Sequence, residues 1–267
     1  MIKHILRGYD ILGEIAILKF IDNASASEKK QEARKLMSKH NNIKTVLEKT
    51  EKVKGRLRTI KTKYILGKNT KIALYRESNC IFKFDIDKCY FSPRLSNERL
   101  ELANIIRKIK SKQILVLFAG VAPFSIVIAK NAKSSKIYSI ELNKIANKYA
   151  KENIKLNKVN NVKIIQGDVK KLGTIIKNNK LPSYYDIIVM PRAQLKETFL
   201  KQALSVSKRG TIIFYYDFCL ESEIKDKVKS VEFEAKKYKK KIKIIRVKKA
   251  GDIAPYKFRI RIDFKII

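Results

Sequence analysis

Three short stretches of the chain have side chains and spacing suited to a nucleoside-bearing cofactor. Phe118-Ala-Gly-Val-Ala-Pro-Phe-Ser125 follows an apolar run and leads into a helical pattern. A strand that turns tightly into a helix can press bare backbone against a ligand. Gly120 lacks the Cβ that would block that approach. The helix N-terminus adds unpaired N–H groups and positive potential. About 20 residues further on, Lys136-Ile-Tyr-Ser-Ile-Glu141 ends in a carboxylate that can accept both hydroxyls of a ribose. A third run ends in Gln166-Gly-Asp-Val169, where Asp168 can cap a helix and accept from an adenine amino group. A fourth, Asp186-Ile-Ile-Val-Met190, delivers its end beside a transferable group. The candidate cofactor contacts are Phe118, Ala119, Gly120, Val121, Glu141, Leu142, Asp168, Val169 and Met190. Helix capping alone would also account for Glu141 and Asp168. The first turn is not GxGxxG, which disfavours nicotinamide chemistry.

These stretches need a scaffold that brings strand ends together. From about residue 97 the pattern alternates strands and helices. Strands are expected at 113–118, 136–141, 162–166, 186–190 and 210–216. Helices are expected near 97–109, 123–131, 143–156, 169–178, 195–207 and 221–234. Repeated β-α units imply a parallel sheet covered on both faces. Two further strand-like stretches, 240–248 and 257–266, read as an antiparallel edge hairpin joined by Ala250-Gly-Asp-Ile-Ala-Pro-Tyr256. This α/β layout is that of a class I, Rossmann-like methyltransferase using S-adenosylmethionine. A dehydrogenase would continue with a sixth parallel strand.

Residues 1–88 lack that spacing and read as a small α+β domain, with 89–267 as the second domain. In the first, Ile11–Leu18 looks like one strand with a Gly bulge, and Ser27 is placed to cap a helix through His40. Short β-like runs follow at 43–47, 58–66, 72–76 and 81–86.

Composition narrows the partners. With 61 Lys+Arg against 25 Asp+Glu, the chain carries a net charge of +36, for which RNA or DNA phosphates are the economical partner. Arg56, Arg58, Lys61, Arg94, Arg192 and Lys240 are the candidate RNA contacts. Residues 236–249 hold nine Lys/Arg and no acid, which suits either a phosphate-binding stripe or a guarded sheet edge. No run of 18 apolar residues suggests a membrane span, and no signal-peptide pattern opens the chain. The three cysteines and two histidines lack metal spacing, so no metal is expected. The expectation is a reduced, cytoplasmic, monomeric protein.

Several stretches resemble one family. Arg76-Glu-Ser-Asn79, Tyr90-Phe-Ser-Pro-Arg-Leu-Ser-Asn-Glu-Arg99, Phe118–Ser125, Glu152-Asn-Ile-Lys-Leu-Asn-Lys158, Gly167-Asp-Val169, Tyr215-Tyr216 and Ala254-Pro-Tyr256 resemble the archaeal and eukaryotic tRNA (guanine-37-N1)-methyltransferases. The resemblance implies methyl transfer from S-adenosylmethionine to N1 of guanosine 37 in tRNA. It puts the general base on Glu98, the arginine near the guanine on Arg76 and the active-site aromatic on Tyr90. It also implies that archaeal members often carry an extra N-terminal domain, after which this chain is expected to begin. Guanine N1 must lose a proton to become a nucleophile, and a nearby carboxylate can take it. A guanidinium can stabilise the charge that develops on O6.

The chain departs from the family pattern after the fourth strand, where Asn-Leu-Pro is replaced by Pro191-Arg192-Ala193. Arg192 or Gln194 is the candidate substitute for the lost amide. Val116 replaces an acid common in the first strand, and Ala122 replaces the second glycine of the turn. Two alternatives stay open: a wyosine-pathway transferase acting on a modified guanosine 37, and a degenerate RNA-binding relative. A DNA base methyltransferase would prefer Asn-Pro-Pro-Tyr or Asp-Pro-Pro-Tyr, which Met190-Pro-Arg-Ala193 does not match.

Overall fold

The computed structural model describes residues 5–51, 55 and 57–267. The chain divides into two units, Met1–Pro93 and Arg94–Ile267.

In the first unit, β1 (Leu6–Leu12), β2 (Ile15–Phe20), β3 (Thr45–Lys49) and β4 (Thr62–Gly67) form a sheet in that order. The β2–β3 pair is parallel and its crossover is helix α1 (Ala26–Lys39). The expected single strand 11–18 is instead parts of β1 and β2, joined by a tight turn. Gly13 has φ +64°, and a Cβ there would stand 2.1 Å from the Leu74 carbonyl oxygen, so the glycine makes a turn and not a bulge. Helix α1 is capped by Ser25, two residues before the expected Ser27. Ser25 Oγ accepts from the Glu28 amide at 3.2 Å, and Glu28 accepts from the Ser25 amide at 2.7 Å. This Ser-x-x-Glu capping box satisfies two helix-end donors at once. The strand expected from Arg58 begins only at Thr62, because Arg58 has a left-handed φ of 54°. β5 (Ile72–Glu77) and β6 (Cys80–Asp85) form a hairpin whose turn, Ser78-Asn79, has positive φ at both residues.

The second unit opens with α2 (Ser96–Ile109) and then alternates β7 (Gln113–Leu117), α3 (Pro123–Asn131), β8 (Lys136–Glu141), α4 (Lys144–Leu156), β9 (Val162–Gln166), α5 (Leu172–Asn178), β10 (Tyr185–Met190), α6 (Leu200–Ser205) and β11 (Ser207–Leu220). Helix α7 (Ile224–Lys237) precedes β12 (Ile242–Ala254) and β13 (Lys257–Ile266). Among the described residues these strands make one sheet in the order β12-β13-β11-β10-β7-β8-β9. β11, β10, β7, β8 and β9 run parallel, while β13 is antiparallel to both β11 and β12. The centre reads as continuous apolar runs because both faces are covered. Ile114–Leu117 and Ile187–Met190 are fully buried. β13 joins the same core through Ile260, Ile262 and Phe264.

Two boundaries differ from expectation. The helix expected over 195–207 is only Leu200–Ser205. Residues 191–199 form a loop whose carbonyls are held by Arg192. The edge hairpin is longer than expected, because β12 runs to Ala254 and leaves only Pro255-Tyr256 as the connection.

Candidate functional site

The turn after β7 folds into a concave strip of backbone. Phe118, Gly120 and Ala122 have φ of 57°, 58° and 66° and alternate with Ala119 and Val121. Left-handed residues alternating in this way fold the chain into a tight turn, whose Ala119, Gly120 and Ala122 amides are bonded within the protein. Two of the three strained positions are not glycine, the kind of outlier that accompanies ligand-binding backbone. The turn is tied down locally. The Ala119 amide donates to Ile140 O at 3.0 Å and the Ala122 amide to Ala119 O at 2.9 Å. Phe118 packs edge-on against Phe199, with ring centroids 5.0 Å apart. The Ala122 side chain fits in a fully buried position despite its φ.

Glu141 closes this strip. Its Oε2 accepts from the Gly120 amide at 2.8 Å and its Oε1 from the Asn143 amide at 2.7 Å. Burial pushes its carboxyl above the ordinary value, against the backbone N–H groups of Asn143, Gly120 and Leu142, which favour the ionised form. A half-buried carboxylate bound to the turn it faces suits two ribose hydroxyls. Asp168 at the end of β9 accepts from the Lys170 amide at 3.0 Å, so capping is one of its roles. Val169 and Met190 are buried. These residues therefore meet at the carboxyl ends of β7, β8, β9 and β10, where ligands bind in open α/β sheets.

Helix α4 supports the turn through asparagines for which no role was expected, although Asn153 lies in the Glu152–Lys158 stretch. Asn153 Nδ2 donates to Val121 O at 3.2 Å, and Asn147 Nδ2 donates to Glu141 O at 2.9 Å. Asn147 and Asn153 lie with Ala146 and Ala150 among the buried residues of α4, and the buried Asn157 caps its end. Amides on the face where a helix normally presents leucine were the available signal. Asn153→Leu leaves the Val121 carbonyl without its buried donor. The expected loss is about 1–3 kcal/mol of unfolding free energy, read from denaturant midpoints. A loss below about 0.5 kcal/mol would show that the turn does not depend on α4.

Glu98 lies in the first turn of α2 and is only 5% exposed. Tyr216 Oη donates to its Oε1 at 2.7 Å, Arg261 Nη1 donates to the same oxygen, and Lys248 Nζ lies 2.9 Å from Oε2. The remaining predicted residues fall as follows. Arg76 is exposed on β5. Tyr90 is half-buried, with the Arg58 guanidinium 5.4 Å from its ring centroid. Arg94 is exposed, and Lys61 is exposed and paired with Glu51 at 2.8 Å. The hydrogen bond from Glu51, then its charge, raises the Lys61 amine above its ordinary value. Arg56 lies outside the described residues.

One expected RNA contact, Arg192, is corrected. Arg192 is 3% exposed and its guanidinium is occupied internally. Its Nε donates to Tyr215 Oη at 3.1 Å, its Nη2 pairs with Asp217, and its Nη1 faces the carbonyls of Ala193, Leu195 and Glu197 at 3.1–3.2 Å. A side chain so engaged and so buried organises the loop after β10 and is not presented to RNA or to a base. Gln194, in contrast, is exposed. Lys240 is half-buried and donates to Ser207 O at 3.1 Å, which makes it a tie to the start of β11.

Comparison with known proteins places this geometry. The TRM5/TYW2 methyltransferase domain model matches residues 73–245, and the TYW2 N-terminal domain model matches residues 1–70. The tRNA (guanine(37)-N(1))-methyltransferase Trm5b of Pyrococcus abyssi is 33% identical over 97% of this chain and 74% of its own length. Its crystal structure matches with a TM-score of 0.81, over 97% of this chain and 75% of that one. The tRNA (guanine(37)-N(1))/4-demethylwyosine(37)-methyltransferase Taw22 of Nanoarchaeum equitans is 34% identical over 97% of this chain and 99% of its own. The crystal structure of M. jannaschii TYW2 in complex with AdoMet matches with a TM-score of 0.69 at 25% identity, over 97% of this chain and 100% of that one.

Proposed function

Because the chain belongs to the TRM5/TYW2 methyltransferase family, we propose that it transfers a methyl group from S-adenosylmethionine to N1 of guanosine 37 in tRNA. The observation that carries the cofactor reading is the left-handed Phe118–Ala122 turn closed by Glu141. Its backbone and carboxylate fit the ribose and amino-acid ends of an adenosyl sulfonium, and Asp168 fits the adenine amino group. When bound, S-adenosylmethionine supplies an electrophilic methyl on a sulfonium, so the protein's task is alignment and deprotonation.

The chain's own residues divide that task. Glu98 takes the N1 proton of the guanine, whose electron pair then becomes the nucleophile. Arg76, carried by the first unit, donates to O6 as negative charge develops there. Tyr90 offers an aromatic face to the base. Exposed lysines and arginines, among them Lys61 and Arg94, hold the phosphates and set register without reading sequence. The small α+β unit is read as contributing RNA contacts.

A second reading is favoured by one observation. Asn-Leu-Pro is replaced by Pro191-Arg192-Ala193, with Arg192 turned inward, so the group that orients the base differs here. The similarity to a protein named for both guanine 37 and 4-demethylwyosine 37 supports a tricyclic guanosine derivative as a further substrate.

Nucleoside mass spectrometry tests both readings. Transcripts with guanosine or adenosine at position 37 are incubated with protein and S-adenosylmethionine, beside a tRNA already carrying the tricyclic derivative. N1-methylguanosine from the guanosine transcript alone is the expected result. Product only from the premodified tRNA would replace the first reading with the second. No product from any of them would overturn both.

A further inference from the structure

The basic stripe at 236–249 does not face one way. Lys243 is exposed, yet Arg246 and Lys248 both reach acids on α2. The cause is a bulge in β12. Ile244 pairs with Phe264 of β13, but the next partner of Asp263 is Arg246, which leaves Ile245 as an extra residue. A regular ladder would set Val247 opposite Arg261; the bulge sets Lys248 there instead. On the other side of β13, Tyr216 of β11 is opposite Arg261. Residues directly opposed on neighbouring strands share a face. Tyr216, Arg261 and Lys248 are therefore one cross-strand row, and all three end on Glu98.

The row is closed by acids as well. Asp263 accepts from Arg261 Nε at 2.7 Å and Nη2 at 3.0 Å, fixing the guanidinium plane. Glu101, one turn after Glu98 on α2, binds Lys248 and accepts from Arg246 Nη1 at 3.2 Å. Burial pushes the Glu101 carboxyl up, but Lys248, then Arg261 and Arg246, outweigh it and hold the group below its ordinary value. The titratable and charged groups around Glu98 are thus Tyr216 from β11, Arg261 and Asp263 from β13, Lys248 and Arg246 from β12, and Glu101 and Arg99 from its own helix.

Resting on the reading of Glu98 as the base, we propose that Lys248 is a positioning residue for that carboxylate and not a phosphate contact. With Arg261 it fixes the two oxygens of Glu98 in place. Oε1 already accepts from both Tyr216 and Arg261. Oε2 carries Lys248 alone among the described residues, so it is the oxygen with room for an incoming proton.

The test uses the whole chain and three variants, Lys248→Met, Lys248→Arg and Glu98→Gln. Arg261 is fully buried, so its removal risks unfolding; Lys248, at 21% side-chain exposure, is the safer probe. Two quantities are read: the split of the effect between kcat and KM, and the salt dependence of tRNA binding. In Lys248→Met kcat is expected to fall about tenfold or more with KM within about twofold of the wild type, because a base held by one partner fewer is less often aligned. Lys248→Arg returns kcat toward the wild type. The salt slope is expected to stay unchanged in both. An unchanged kcat in Lys248→Met overturns the proposal. So does a fall in the salt slope by about 0.7–0.9, the signature of one lost phosphate contact. Wild-type turnover in Glu98→Gln would instead remove the base itself, and the proposal would fall with it.

Discussion

Glu98→Gln is expected to slow turnover by about 10²- to 10⁴-fold, the usual contribution of a positioned general base. The amide keeps the shape of the carboxylate and can still accept from Tyr216, but it cannot take a proton. Affinity for S-adenosylmethionine, measured by calorimetry, is expected to stay within about twofold of the wild type, since the Phe118–Ala122 turn and Glu141 are untouched. Some stability is also lost, because Arg261 and Lys248 each lose an ionised partner. Asp263 and Glu101 remain to hold them, so the fold is retained. Single-turnover rates on a guanosine-37 transcript separate these effects. A rate within about fivefold of wild type would mean that proton removal is not the work of Glu98.

Arg192→Ala is the substitution with the largest expected effect on stability, about 3–5 kcal/mol. Asp217 is 5% exposed and would lose its buried partner. Lys227, 3.3 Å from the other oxygen of Asp217, and the Phe218 amide at 2.8 Å soften the loss toward the lower figure. The loop also loses the donor that gathers the carbonyls of Ala193, Leu195 and Glu197. Urea unfolding measures the effect. Arg192→Ala combined with Asp217→Asn is expected to recover part of it, since the stranded charge is then gone. A single-variant loss below about 1 kcal/mol would show that the buried pair is replaceable by water and Lys227.

The parallel core was readable because each strand is a short apolar run that ends in a turn residue, and each helix between them keeps the 3.6 period. The turn after β7 was readable from Gly120 and from Glu141 following at nucleoside-binding distance. Arg192 was misread because a charged residue in a loop is most often solvated; nothing local says that Tyr215 and Asp217, more than 20 residues on, will enclose it. Ser27 was preferred to Ser25 although Glu28 stands three residues after Ser25, the spacing of a capping box. Lys248 and Arg261 were hidden for a different reason. Their meeting with Glu98 spans three strands and a helix and depends on register, which alternation of residue types does not encode when lysines fall on both faces of a strand.

The extra residue in β12 also separates strand length from site geometry. A chain lacking Ile245 would pair Ile244 with Phe264 and Arg246 with Asp263 in an unbroken ladder, and Lys248 would still stand opposite Arg261. A chain lacking Val247 could reach the same arrangement by giving up the bulge. Between Ile244 and Lys249 the edge of the sheet therefore holds one residue in reserve. Single-codon deletions between 245 and 247 leave the row beneath Glu98 intact, whereas in β11 and β13, which pair in continuous register, the same deletion turns every following side chain to the opposite face.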